Sequence, residues 1–209
     1  SNGSNNFRCG LEVTTNPPHR VRAGSTITGV NLRVYEANAA YADLVQQGVD
    51  PDNIAFMTIH VNALGPNTRG LMTFYPGDRT DTRHDMPQSS QRRSSVYTQY
   101  EEVRERPTVN YTSAQDAEMA RNSRSLAELV VDESRNQGIE ILPTRPVRDS
   151  MHRNSTFIPN ILRGQLAPAH ILVEMANIAN PADASLMETP RYRENLAQAL
   201  VNAAIRYNQ

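Results

Sequence analysis

The run Ile54-Ala55-Phe56-Met57-Thr58-Ile59-His60-Val61-Asn62-Ala63-Leu64 decides the fold. It is an apolar stretch of strand length, interrupted by a single ionisable side chain, His60. Asn62 follows two residues on, and the turn residues Gly65 and Pro66 come next. A second stretch, Ala169-His170-Ile171-Leu172-Val173-Glu174-Met175-Ala176-Asn177, has the same design and ends its apolar run on Glu174. In an α/β protein, groups at the carboxyl ends of strands lie at the mouth of the sheet, where ligands bind. A histidine and a carboxylate carried to one sheet edge by two strands are a candidate metal ligand and a candidate general base.

Outward from these strands, helical and extended patterns alternate. Asn31 to Gln47 reads as a helix, with Leu32, Tyr35, Ala39 and Ala42 recurring at three- and four-residue spacing, and Gly48 suits its end. Gly70 to Tyr75 reads as a strand closed by Pro76-Gly77. Ser113 to Asn136 is the clearest helix, with Ser113-Ala114-Gln115-Asp116 able to cap its start and Met119, Leu126, Leu129 and Val130 on one face. Ile139 to Leu142 and Phe157 to Leu162 read as short extended pieces, and Ala182 to Thr189 and Arg191 to Tyr207 as closing helices. Phe7 to Thr15 has strand character, ended by Asn16-Pro17-Pro18. The alternation predicts an α/β fold: a mixed, mainly parallel twisted sheet flanked by helices.

The 209 residues fit one domain with a sizeable core. A net charge of −1 gives no electrostatic reason to expect nucleic acid as partner. No apolar run reaches the ~18 residues of a membrane span. A lone cysteine, Cys9, leaves no intrachain disulfide to form. Residues 1–6, Ser-Asn-Gly-Ser-Asn-Asn, read as a tag, linker or cut end, and 7–209 as the domain. Within it, about 78–113 is a polar insertion whose core, Gln88-Ser89-Ser90-Gln91-Arg92-Arg93-Ser94-Ser95, is too polar to pack.

Among residues that can do chemistry, His60 is either structural or a metal ligand, and Glu174 either the partner of an arginine such as Arg163 or a proton carrier. His19, His84 and His152 lie in Pro-rich, polar and Arg-rich segments and are weaker ligand candidates, while His170 opens its strand and is expected to face outward. Arg145, Arg148 and Arg153 form a modest basic patch, read as solvated surface.

The ordered set of motifs resembles the zinc-dependent N-acetylmuramoyl-L-alanine amidases, which cut peptidoglycan. The residues that carry the resemblance are Asn31-Leu32-Arg33-Val34-Tyr35-Glu36-Ala37-Asn38 before Thr58-Ile59-His60-Val61-Asn62-Ala63, then Gly70 to Tyr75, Ser123-Arg124-Ser125-Leu126-Ala127, Ile161-Leu162-Arg163, Pro168 to Glu174, Ala179-Asn180-Pro181, and Tyr192 to Ile205. The resemblance implies that His60 is a zinc (Zn2+) ligand and Glu174 the catalytic carboxylate. The reaction implied is hydrolysis of the amide between N-acetylmuramic acid and L-alanine of the stem peptide, in the periplasm or outside the cell. The family's opening strand, ending in Asp-Pro-Gly-His-Gly-Gly, and its following ligand glutamate have no counterpart here, and Glu12 is a poor substitute. The first strand and helix of the fold are therefore expected to be missing, with the other two ligands upstream of Ser1 or lost. In the second case the domain would be an inactive relative that binds cell-wall glycan or a protein. Some members of the family carry a blocking segment where 78–113 stands, so a regulatory protein acting on that insertion is a further expectation.

Overall fold

The computed structural model describes residues 26–77, 111–149 and 157–209. Residues 1–6, the strand expected over 7–15, nearly all of the 78–113 insertion, and Glu12, His19, His84, His152 and Arg153 lie outside the described residues.

Four strands form one sheet in the order β1-β4-β2-β3: β1 Ala55–Asn62, β2 Met72–Phe74, β3 Val147–Arg148 and β4 Ala169–Asn177. β1 runs parallel to β4, and β2 parallel to β3, while β2 and β4 are antiparallel. The sheet is thus mixed and mainly parallel, as the alternation of patterns predicts. Because β2 turns back, its first residue pairs with Glu174 near the carboxyl end of β4. The loops before β2 and β3 therefore lie towards the same end of the sheet as the ends of β1 and β4.

Helices cover both faces. α2 (Ser113–Asn136) and α4 (Pro190–Tyr207) lie on one, where Leu126, Val130, Leu196 and Ala199 pack on Ala169, Ile171 and Val173 of β4. The opposite face carries α1 (Thr26–Gln46) and a 3-10 turn at Asn160–Leu162. There Val34, Ile158, Ile161 and Leu162 close over Met72, Phe74 and Leu172, with Phe56 at the margin. β4 is buried on both faces, which explains why its sequence is apolar without alternation. α3 (Pro181–Glu188) connects the end of β4 to α4.

Several local expectations shift. α1 starts at Thr26, earlier than Asn31, and its inward stripe is Val34, Asn38 and Ala42 at four-residue spacing. The cap of α2 is Thr112: its hydroxyl accepts from the Gln115 amide, while the Gln115 side chain accepts from the Thr112 amide. The extended segment expected at Phe157–Leu162 instead turns, since Pro159 has no amide to donate and its carbonyl accepts from Leu162 N at 2.9 Å. His170 does not face outward. It is fully buried, with Nδ1 3.0 Å from the Ala167 carbonyl, and burial pushes its pKa down to about 4, so it stays neutral. Gly70 has a positive φ of 100°, and a Cβ there would meet Leu142 N at 2.6 Å. Only glycine lets the start of β2 approach the 140–142 segment this closely.

Candidate active site

His60 and Glu174 are brought together. They are register partners in the parallel β1–β4 pair, so their side chains leave the same face of neighbouring strands, whose backbones lie about 4.8 Å apart. Two residues earlier the same face carries Thr58 and Leu172, and before those Phe56 and His170. The site therefore begins where the apolar cluster beneath α1 ends. On its other side Glu174 pairs with Met72, so the carboxylate stands between an imidazole and a thioether.

His60 is half-buried at this margin, with Nε2 3.1 Å from the Thr58 hydroxyl. Burial, followed by the positive charge of Arg33 on α1, lowers its pKa, so the ring is neutral at neutral pH. A neutral imidazole is the form that ligates metal. Asn62, on the same face, points Nδ2 at the Met72 sulfur at 3.8 Å.

Glu174 is 8% exposed. Burial raises its pKa above the ordinary 4.5. Its Oε2 is the one carboxylate oxygen among the buried side-chain atoms that lack a hydrogen-bond partner among the described residues. A buried carboxylate oxygen left unpaired is costly, and such groups concentrate where a ligand or a reaction uses them. Arg163, the structural alternative for Glu174, is engaged elsewhere: its Nε donates to the Ile158 carbonyl at 3.3 Å and its guanidinium lies 5.3 Å from the Phe157 ring centre.

Asn177, Asn180 and Asp183 fix the rim of the site, and sequence reading passes over their role. The loop from Ala63 to Gly70 leaves β1 at the site's edge. The Asn177 side chain accepts from Leu64 N at 3.0 Å and donates to the carbonyls of Gly65 and Thr68 at 3.1 and 2.6 Å. Asn180, which caps α3, donates to the Pro66 carbonyl at 2.6 Å. The buried Asp183 accepts from Gly70 N at 2.8 Å and Asn177 N at 3.1 Å, and pairs with Arg69 at 3.3 Å. On the opposite side Asn38 of α1 donates to the Gly164 carbonyl and accepts from Leu166 N, each at 2.8 Å, which seats the helix on the approach to β4. Their sequence marks only a polar end to an apolar strand and a proline-started helix after it, not the partners they hold.

Among the described residues, no group of three or more His, Cys, Asp or Glu side chains is placed to hold a metal ion. His60 fits the role of one nitrogen ligand: it is neutral, partly exposed and next to an unpaired carboxylate oxygen.

A profile of the Amidase_3 family, described as N-acetylmuramoyl-L-alanine amidase, matches residues 28–206. Among solved structures, the N-acetylmuramyl-L-alanine amidase Ami1 of Mycobacterium smegmatis is 20% identical with a TM-score of 0.50, the match covering 84% of this chain and 60% of that one. An N-acetylmuramoyl-L-alanine amidase of Clostridium difficile 630 is 15% identical, TM-score 0.47, over 85% of this chain and 64% of its own. The CwlD amidase of Clostridioides difficile, solved in complex with the GerS lipoprotein, is 16% identical, TM-score 0.44, over 81% of this chain and 60% of its own. The chain thus spans under two thirds of the length of these solved proteins, and no curated protein sequence matches it. With the family profile running from α1 through α4, the chain belongs to the N-acetylmuramoyl-L-alanine amidase family.

Proposed function

We propose that this domain hydrolyses the amide between N-acetylmuramic acid and the L-alanine of the peptidoglycan stem peptide, with His60 as one zinc ligand and Glu174 as the proton carrier. The observation that carries the proposal is the in-register placement of His60 beside a Glu174 whose buried Oε2 has no partner among the described residues. A zinc ion held by His60 and further ligands supplies Lewis acidity for the amide carbonyl and for water. Glu174, ionised, takes the proton of the attacking water and then delivers it to the departing amine of L-alanine. Its raised pKa brings the acid and base forms closer to balance at working pH. His60 stays neutral because burial and Arg33 both disfavour its cation. The reading places the protein in the periplasm or outside the cell, and gives the 78–113 insertion to a regulatory protein partner.

The test uses the full-length protein with zinc and purified peptidoglycan. Wild type should release free stem peptides and Glu174→Gln should release almost none; equal release, or none from either, ends the proposal. Zinc content is measured alongside: about one ion per wild-type chain, and a large loss in His60→Ala. The second reading is an inactive relative that binds glycan or a protein. It is favoured by the single candidate ligand at the site among the described residues, and it expects wild type to purify without zinc.

A further inference from the structure

A second feature opens near the same end of the sheet. Between the 67–69 segment of the rim loop and the 142–148 segment lies a cleft of about 410 Å³, lined among others by Thr68, Arg69, Pro143, Arg145 and Arg148. The chain makes this cleft by leaving the sheet. Ile141 bridges to Leu71 and Val147 pairs with Thr73, so the six-residue step on one side faces a two-residue step on the other. Leu142 and Pro146 stay bonded to Leu71 and Thr73, the exposed Pro143 to Arg145 between them bow outward, and Arg145 takes a left-handed backbone with φ 51°. That conformation is uncommon for a residue with a side chain.

Three guanidinium groups share this cleft, and two carboxylates answer them. Arg69 pairs with Asp183, which also serves two backbone amides, and Arg145 lies a loose 3.7 Å from Asp149. Arg148 has no carboxylate within ion-pair distance among the described residues. Its Nε donates to the Arg145 carbonyl at 3.0 Å, and its guanidinium carbon lies 5.9 Å from the Phe74 ring centre. Burial and the neighbouring charge of Arg145 both disfavour its cation, a mismatch that an incoming anion would relieve.

The cleft also lies at a telling distance from the reacting pair. Arg148 pairs with Phe74, and Phe74 with Leu172, so Arg148 projects from the face that carries Glu174. β3 is two strands from β4, about 10 Å across, and Arg148 is level with Leu172, two residues along the strand from Glu174, so the two lie about 12 Å apart. Three to four residues of extended peptide, at about 3.3–3.6 Å each, span that distance.

We propose that the arginine-lined cleft beside β3 is a subsite for a carboxylate on the peptide portion of the substrate, about three to four residues from the scissile amide. The inference rests on the amidase reading and names what that site selects: an acidic peptide over a neutral one. Arg148 and Arg145 bind the carboxylate, and Arg69 holds the opposite wall in place through Asp183.

The test gives full-length protein two synthetic muramoyl tripeptides that differ only at the peptide end, one a free carboxylate and one a carboxamide. Wild type should favour the acid by about tenfold or more in kcat/KM, carried by KM, the size expected of one charge-assisted hydrogen bond. The double variant Arg145→Asn/Arg148→Gln should lose that preference, mainly through a raised KM for the acid; Asn is chosen because it tolerates the left-handed backbone. Arg148→Lys should keep part of the preference. Calorimetry with the free tripeptide acid and amide reads the same difference without catalysis. Cleavage of both substrates at equal efficiency by wild type overturns the subsite and leaves the amidase reading standing. No cleavage of either removes the amidase reading, and equal calorimetric binding of the two peptides then overturns the subsite as well.

Discussion

Glu133 on α2 and Glu174 on β4 are withdrawn from water to nearly the same degree, 6% and 8% exposed, yet their surroundings are opposite. Glu133 sits at the α2–α4 junction among donors: Arg206 Nη1 and Asn136 Nδ2 donate to Oε1, and Asn202 Nδ2 donates to Oε2 at 3.3 Å. The hydrogen bond from Arg206 is the main cause of a lowered pKa. Glu174 has an oxygen with no partner among the described residues and a pKa raised by burial. Burial alone therefore does not mark a functional carboxylate. What separates the two is whether the fold supplies donors to the charge, and the sheet end withholds them where a substrate would arrive.

The largest expected effect tests that distinction directly. Glu174→Gln should lower stem-peptide release by roughly 10²–10⁴-fold, the usual contribution of a positioned acid–base group, with a melting temperature equal to or above wild type. Glu133→Gln should do the reverse, keeping hydrolysis and lowering the melting temperature. A Glu174→Gln protein that melts well below wild type would make Glu174 a structural residue and collapse the comparison.

The dependence of stability on pH should differ in sign. Glu174 titrates above 4.5 in the folded state, so the fold binds its proton more tightly than the unfolded chain does. Its contribution is most favourable below 4.5 and declines as pH rises through the raised pKa. Glu133 titrates below 4.5 when folded, so its contribution is complete above 4.5 and is lost as pH falls through the lowered value. Melting curves of wild type, Glu174→Gln and Glu133→Gln between roughly pH 3 and pH 8 should show the two trends with opposite slopes. The same direction in both would refute the contrast.

The smallest effect is expected from Arg206→Ala. Arg206 is about half exposed, and a partly solvated ion pair contributes little, so only a slight drop in melting temperature and unchanged hydrolysis should follow. A drop as large as that of Glu133→Gln would mean that this one arginine carries the whole environment of Glu133.

Much of the frame is legible in the sequence. α2 can be read from Ser113 to Asn136 because a capping box starts it, an apolar stripe sustains it and Gly138 ends it. The strands bearing His60 and Glu174 are legible because each carries an ionisable residue in an apolar run, and their meeting follows from parallel pairing. His170 misleads for the same reason: a strand covered on both faces offers no outward side, and a neutral imidazole fits inside when a carbonyl answers it. Pro143 and Pro146 mark the irregular chain between Leu142 and Val147, but the grip of Asn177 and Asp183 on the rim loop is not legible, because it joins residues more than a hundred positions apart and leaves no periodic trace.

That grip changes what kind of object the loop is. The amides of Leu64 and Gly70 belong to no ladder, yet each is held by a side chain anchored at the end of β4. In heavy water they should surrender their protons on the timescale of the sheet and not that of a surface turn. A ligand entering beside His60 would then meet a wall already in position, and the entropy of ordering that wall would have been lost at folding, not at each encounter.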